Sequence, residues 1–418
     1  MLSLSNTNEN SIIFSTPVVF IILVIITLIR IYSLFISPIE LSVDEAQYWH
    51  WSQNLDYGYF TKPPLIAWAI ALSTNIFGNE EWAVRLFSPI IHFFISIILW
   101  AITQFAFGLK AGRIAALLWI FTPAASLGSF IISTDTPLLL FWSLSLLFIF
   151  KIFKDDSYIS ATFAGASLGL AFLSKYAALY FFVLLILWWV IYDKGKALTF
   201  KKLLVVLISS IFVATPNLYW NYSNDFVTAS HTISNANLSE IIMNYANVID
   251  FLSSQLLVFG PIIFLLYLFI IFNSFFKDQK LSLLGMLSLP IITLIIVQSF
   301  LKIANPNWAV TAYISATLMI SAYAIIQKHR VLRLLTKFGL IINFVLSLLI
   351  LKITLTGNFY PIHLKSDPLR KNLGFEILST EIKKSFDNKE MSKLVFMNRG
   401  EITRFNYYLI KIDNKFKN

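Results

Sequence analysis

Residues 42–64 read SVDEAQYWHWSQNLDYGYFTKPP. They follow an apolar run, 17–37, that matches the roughly 20 residues a helix needs to cross a bilayer. Where the chain leaves that run it sets down two carboxylates, Asp44 and Glu45, a crowd of aromatic residues, Lys62 and two prolines. A chain that only had to turn back would use a short polar loop. This stretch reads instead as structure built at the membrane surface, and the rest of the sequence can be ordered around it.

Most of the remainder is membrane. The 418 residues are 57% hydrophobic and 13% charged, where a soluble domain carries about 25% charged residues; mean hydropathy is +0.74. With no cysteine, disulfides, thiol nucleophiles and cysteine-based metal sites are excluded. The net charge of +10 speaks to topology rather than to nucleic acid, since Lys and Arg collect in cytoplasmic loops. No Lys or Arg precedes the run 17–37 and no small-residue cleavage site follows it, so it reads as a retained first span. Further spans are expected at 82–107, 113–131, 136–153, 158–174, 177–192, 203–220, 250–274, 282–301, 308–327 and 332–353, about eleven in all.

One set of connections holds Lys110, Arg113, Lys151, Lys154, Lys194, Lys196, Lys201, Lys202, Lys277, Lys280, Lys328, Arg330 and Arg333; the alternate set holds little beyond Lys62, Arg85, Lys175 and Lys302. The basic set is therefore cytoplasmic. That places 38–81, 131–135, Lys175, 221–249, 302–307 and the C-terminal tail outside. The tail, 354–418, is charged and has no span. It reads as a small α/β appendage to the transmembrane domain 1–353, with helical spacing over 367–386, a short strand at 393–397 (KLVFM) and a helix at 401–410.

Nearly all the unusual charges away from the cytoplasmic loops share the outer face: Asp44, Glu45, Lys62, Arg85, Asp135, Lys175, His231 and Lys302. Charges at membrane depth are costly and point to function. Ser42 and Glu45 have capping-box spacing for a helix starting near Val43. In that helix Glu45 can cap while Asp44 points into a cavity, and its aromatics, Tyr48 among them, suit the interface. Lys62 precedes two prolines, which hold it on extended chain near lipid headgroups, where a phosphate is the obvious partner; snorkelling is the plainer reading. Asp135 in STDTPLLLFW fits a cap with Pro137 in the first turn as well as it fits a site. Lys175 interrupts GLAFLSKYAALYF, where a phosphate or carboxylate partner would explain it. His231 lies in an outer polar loop, as a ligand, an acid–base group or an ordinary loop histidine. Arg85, Lys302 and Asn307-Trp308 are weaker candidates.

Taken in order, SVDEAQYWHWSQNLDYGYFTKPPLIAW, FGNEEWAVRL, STDTPLLLFW, GLAFLSKY, PNLYWNYSNDF and NPNWAVTAY resemble the motifs of bacterial membrane glycosyltransferases of the protein O-mannosyltransferase-like family, relatives of the aminoarabinose transferases of lipid A modification. The resemblance runs from about residue 38 to 320. It implies a GT-C fold, an all-α polytopic bundle with interfacial helices and a periplasmic active site in the inner membrane. It also implies a polyprenyl-phosphate sugar donor and a glycan, lipid or protein acceptor such as lipopolysaccharide, with no nucleic acid. On this resemblance Asp44 falls on the family's outer-loop acidic residue, Lys62 on its K-P-P lysine near the lipid phosphate, and Asp135 on a second acidic position. Gln47 and Thr61 depart from the D-E-x-R-Y and E-K-P-P patterns of the aminoarabinose transferases, which suggests a hexose-type donor.

The chemistry agrees with the residues. Glycosyl transfer from a lipid phosphate needs a base for the acceptor hydroxyl and cations for the leaving phosphate. Asp44 is the candidate base and Asp135 its helper or alternative. Lys62 and Lys175 are the phosphate ligands, with Glu45, Tyr48, Arg85 and His231 as further substrate-binding candidates. No cofactor is required; a D-x-D metal motif is missing, though Asp44-Glu45 could host a divalent cation. The competing class is a transporter or flippase of lipid-linked sugars, which should show polar groups at mid-bilayer, broken helices and repeat symmetry. The sequence shows no internal repeat.

Overall fold

The computed structural model describes residues 15–236, 243–274, 278–326, 330–358, 373–388, 394–396 and 398–413. Among these it is helical throughout, with no strand. Seven helices are long and apolar enough to cross a membrane: Thr16–Ile36, Glu81–Phe107, Asp135–Asp155, Tyr176–Asp193, Phe200–Ser223, Gln279–Leu301 and Arg330–Thr356. An eighth crossing exists if the bent pair Tyr245–Val258 and Pro261–Asn273 counts as one. Each of the eleven expected segments is helical over most of its described residues, and some of the helices are shorter than these seven. Tyr158–Ser174 has 17 residues, about 26 Å at 1.5 Å per residue against a hydrocarbon core of about 30 Å. Ala312–Ile326 has 15.

Two of the expected spans are broken, and the sequence explains both. The segment 113–131 divides into Leu109–Phe121 and Pro123–Gly128, because Thr122, preceding a proline, takes extended backbone at ψ 133°. The carbonyls freed by the break need donors, and a lipid-exposed break would find none. Arg30, buried in the first span, supplies them: its guanidinium donates to the Ile120 carbonyl at 2.7 Å and to the hydroxyls of Ser126, Ser129 and Ser347. Segment 250–274 bends by 107° at Phe259-Gly260-Pro261. Gly260 sits at φ +95°, and a Cβ there would lie 1.8 Å from the Asn343 side-chain oxygen. Asn343, buried on the last span, donates to the freed Phe259 carbonyl at 3.1 Å.

The bundle's centre is filled by large buried side chains, Trp119, Trp142, Trp188, Phe150, Phe181, Tyr267 and Tyr313. At one end sit residues of the basic set. Lys202 pairs with Asp156, and Lys151 and Lys154 lie over Phe148 and Phe105. Lys277 and Lys328 fall outside the described residues. At the other end, 37–85 forms a cap made of the helices Val43–Ser52, Leu65–Phe77 and Glu81–Arg85 with the loop between the first two.

The chain's last helices pack on this cap. Phe375–Asp387 begins where the Glu40 carboxylate accepts from the backbone N–H groups of Phe375 and Glu376. Arg399–Ile412 lies along Val43–Ser52. Tyr407 meets Trp49 edge-on and donates to the Asn79 carbonyl, and the Tyr408 hydroxyl accepts from Leu41 N–H. Lys411 pairs with Glu80, Glu81 and Glu376. Helix 401–410 is therefore present and slightly longer than expected. The expected strand is not found: 394–396 are irregular, and Lys393 and Met397 lie outside the described residues. A lone strand has no ladder partner, and Phe396 stacks on Phe405 instead.

Candidate active site

The cap is held in one geometry by the capping box expected from the sequence. Ser42 accepts from Glu45 N–H, and Glu45 accepts from Ser42 N–H at 3.0 Å. The same Glu45 carboxylate takes both arms of Arg85, at 2.8 and 2.9 Å, and the Ile132 N–H at 3.1 Å. Arg85 also donates to the carbonyls of Ile39 and Glu40 and stacks over Phe130. Glu45 and Arg85 are 1% and 2% exposed. Burial alone would raise the Glu45 pKa, but the Arg85 charge and the hydrogen bonds from Arg85, Ser42 and Ile132 hold it below the usual carboxylate range. These two candidates thus saturate each other. They pin the strand-like chain 38–42, the interfacial helix and the loop before Asp135 to one another. Glu45 has no free face left for a divalent cation, and no cluster of three or more metal-ligating side chains occurs among the described residues.

Asp44, one residue away, is 61% exposed, and among the described residues its carboxylate makes one ion pair, with Arg399 from the C-terminal helix. Asp135, at the start of Asp135–Asp155, receives Lys175 Nζ at 2.7 Å and the Asn307 amide at 2.7 Å. Lys175 ends Tyr158–Ser174 in extended conformation, which turns its side chain out of the helix towards Asp135. Both candidate carboxylates are therefore ion-paired, each to a cation from a distant part of the chain.

Lys62 differs. The turn that carries it is closed by Tyr59 N–H donating to the Lys62 carbonyl. The loop around it is fixed by Trp51 stacked on Tyr59, and by Thr228 and Asn217 bonded to the Tyr59 and Tyr57 carbonyls. Gly58 lets this loop press on Trp220, where a Cβ would come within 2.3 Å of the indole. The Asn217 amide oxygen in turn accepts from the Tyr176 hydroxyl, which accepts from Asn221, so the PNLYWNYSNDF motif serves as the loop's anchor. The Lys62 ammonium itself meets no acceptor among the described residues. Burial, then the Lys175 charge, push its pKa below the ordinary lysine value.

Lys62 and Lys175 line a cavity of about 400 Å³, with Thr61, Thr232 and Gln298 as further polar lining. The rest of the lining is largely apolar, with Leu179, Tyr180, Leu294, Ile295 and Trp308. The buried Thr61 hydroxyl has no hydrogen-bond partner among the described residues. The cavity thus combines two lysines with apolar side chains from two helices, a lining that suits an amphiphile with one anionic group.

His231 lies on the helix Val227–Ala236 rather than in an open loop, packed against Phe60. Burial and the charges of Lys62 and Arg399 lower its pKa. Tyr48 is 3% exposed, and burial with the charges of Asp44 and Asp135 raises its pKa. The structure therefore gathers Asp44, Tyr48, Lys62, Asp135, Lys175 and His231 around one end of the bundle. It adds Asn307, legible only as a weak candidate, and Arg399, which carries no signal in sequence beyond its place in a charged tail.

Comparisons with known proteins bear on the family and the fold. A family model described as dolichyl-phosphate-mannose-protein mannosyltransferase matches residues 61–220. The chain is 34% identical over 331 residues to the lipid A galacturonosyltransferase RgtD of Rhizobium johnstonii, covering 77% of this chain and 68% of that protein. Among solved structures, ArnT from Cupriavidus metallidurans bound to undecaprenyl phosphate matches with TM-score 0.66 at 14% identity, over 96% of this chain and 89% of ArnT. The oligosaccharyltransferase AglB from Archaeoglobus fulgidus, in complex with an inhibitory peptide and a dolichol-phosphate, matches with TM-score 0.51 at 14% identity, over 92% of this chain and 60% of AglB. At such identities the structural likeness speaks for the fold.

Proposed function

The chain belongs to the GT-C membrane glycosyltransferases, and from that premise we propose that it transfers a hexose-type sugar of the galacturonosyl class. The sugar comes from a polyprenyl-phosphate donor and goes to a lipid A-type glycolipid at the periplasmic face of a bacterial inner membrane. The observation that carries this reading is Lys62: a cation with no acceptor among the described residues, lining a largely apolar cavity beside two carboxylates. The identity to a lipid A galacturonosyltransferase supports the sugar and the acceptor. The basic loops at the opposite end of the bundle support the orientation.

In this reading the polyprenyl chain lies in the cavity and its phosphate meets Lys62, with Lys175 and the Thr61 hydroxyl close by. Asp44 takes the proton of the acceptor hydroxyl as its oxygen attacks the anomeric carbon. The bond from that carbon to the phosphate oxygen breaks, and the electron pair leaves on the polyprenyl phosphate. That product carries more charge than the phosphodiester it came from, which is where the lysines act most strongly. A single displacement inverts the anomeric centre. Asp135 orients Lys175, Tyr48 and His231 line the approach, and Glu45 with Arg85 hold the cap. A flippase reading has less support, because the ionisable cluster lies at one end of the bundle and the one buried mid-span cation described above, Arg30, is spent on a helix break.

The test is binding of undecaprenyl phosphate to the purified protein in detergent, by native mass spectrometry. Lys62→Ala should weaken it at least tenfold without changing the melting temperature. Equal binding by the variant would remove Lys62 from the phosphate role and the reading with it.

A further inference from the structure

We infer that Arg399 is an anion-recognition residue of this site, carried in by the C-terminal helix to bind a carboxylate or phosphate on one of the two sugar substrates. The inference rests on the transferase reading above.

Arg399 occupies the first turn of Arg399–Ile412, directly after the cap Asn398, whose side chain accepts from Glu401 N–H. The helix does not need Arg399 to stay docked. Tyr407 and Tyr408 are fully buried against the cap, Lys411 meets three carboxylates, and Asn406 lies 3.0 Å from the His50 ring. The docking contacts leave the guanidinium on a fixed base at the mouth of the site. There, half-exposed, it touches Asp44 through one nitrogen and nothing else among the described residues. A guanidinium offers five N–H groups in a planar fork suited to carboxylate or phosphate. An exposed pair of this kind contributes little as a structural contact, so the guanidinium can exchange or share Asp44 at small cost.

Position tells what it would bind. Of the three cations around the two carboxylates, Lys175 is committed to Asp135, and Lys62 faces the cavity that would hold the lipid. Arg399 is on the Asp44 side. If Asp44 takes the acceptor's proton, the transferred sugar and the acceptor meet there, beyond the phosphate. The Arg399 charge is also felt at Lys62, Tyr48 and His231, which sets it within the same electrostatic field. An anionic group on the donor sugar and one on the acceptor are both within its chemistry, and kinetics separate them.

The experiment compares wild type, Arg399→Gln and Arg399→Lys, purified and supplied with undecaprenyl-phosphate galacturonate and lipid A. Arg399→Gln should raise one KM at least tenfold, with undecaprenyl phosphate binding and melting temperature unchanged, and Arg399→Lys should recover part of the loss. A rise confined to the donor KM places the anion on the transferred sugar. A rise confined to the lipid A KM, absent with dephosphorylated lipid A, places it on the acceptor. Unchanged KM values for both, including the case where kcat alone falls, overturn the inference and leave Arg399 as a group that only positions Asp44. A wild type that neither binds undecaprenyl phosphate nor transfers the sugar overturns the transferase reading itself, a result distinct from any of these.

Discussion

Asp44 and Glu45 are adjacent carboxylates on the same first turn, and the structure treats them in opposite ways. Successive helix positions point about 100° apart, so one faces the bundle and the other the mouth of the site. Glu45 is buried, with its oxygens taken by Arg85, Ser42 N–H and Ile132 N–H. Asp44 is exposed and holds one exchangeable partner. The difference separates scaffold from chemistry. A carboxylate saturated by main-chain N–H groups and a buried arginine has no lone pair to offer a substrate, whereas one held by a single exposed cation does.

The largest expected effect falls on the scaffold half. Arg85→Ala strands a buried carboxylate, a change that costs about 3–5 kcal/mol, a large share of the roughly 5–15 kcal/mol that holds a domain folded. Thermal unfolding of the purified variant should show a large drop in melting temperature or no stable protein at all. A variant that melts like wild type but has lost transfer would move Arg85 into the substrate site and erase the distinction.

Asp44→Asn probes the other half. The amide keeps the shape and loses the base, so transfer should fall by about 10²- to 10⁴-fold, the usual contribution of a general base. Insertion, melting temperature and undecaprenyl phosphate binding should stay as they are. Near-normal transfer would take the base role from Asp44 and leave Asp135, hydrogen-bonded to Lys175 and Asn307, as the remaining carboxylate of the cluster.

How much of this was legible follows from what kind of contact each feature needs. The capping box could be read because its partners are three residues apart. The cluster at the outer end could be read because loop charges betray their side of the membrane. The helix breaks are written in Pro123 and Gly260-Pro261, but apolar runs hide them. A hydropathy window sees the residues of a span and not its hydrogen bonds, so it reads the apolar segments as unbroken, where among the described residues seven or eight helices are long and apolar enough to cross. Arg85 and Glu45 read as separate charges because sequence does not show that a pair 40 residues apart meets in the fold. Arg399 was invisible for the same reason, since 355 residues separate it from Asp44.

The smallest expected effect sharpens the comparison through pH. The Glu45 pKa is depressed in the folded state, chiefly by the Arg85 charge acting against the cost of burial. A carboxylate of this kind contributes stability that is complete above the unfolded value of about 4.3. The contribution is lost as pH falls through the lower folded value, because the unfolded chain then binds the proton more readily. The wild-type melting temperature should therefore fall on the acid side of pH 4.3. Glu45→Gln should start lower, because Arg85 is left buried without its counter-charge, but should descend less steeply over that same window. Asp44→Asn, measured alongside, should keep the wild-type slope. Parallel slopes for Glu45→Gln and wild type would mean that the buried pair does not carry the acid sensitivity of the cap, and that the two neighbouring carboxylates differ in exposure more than in work.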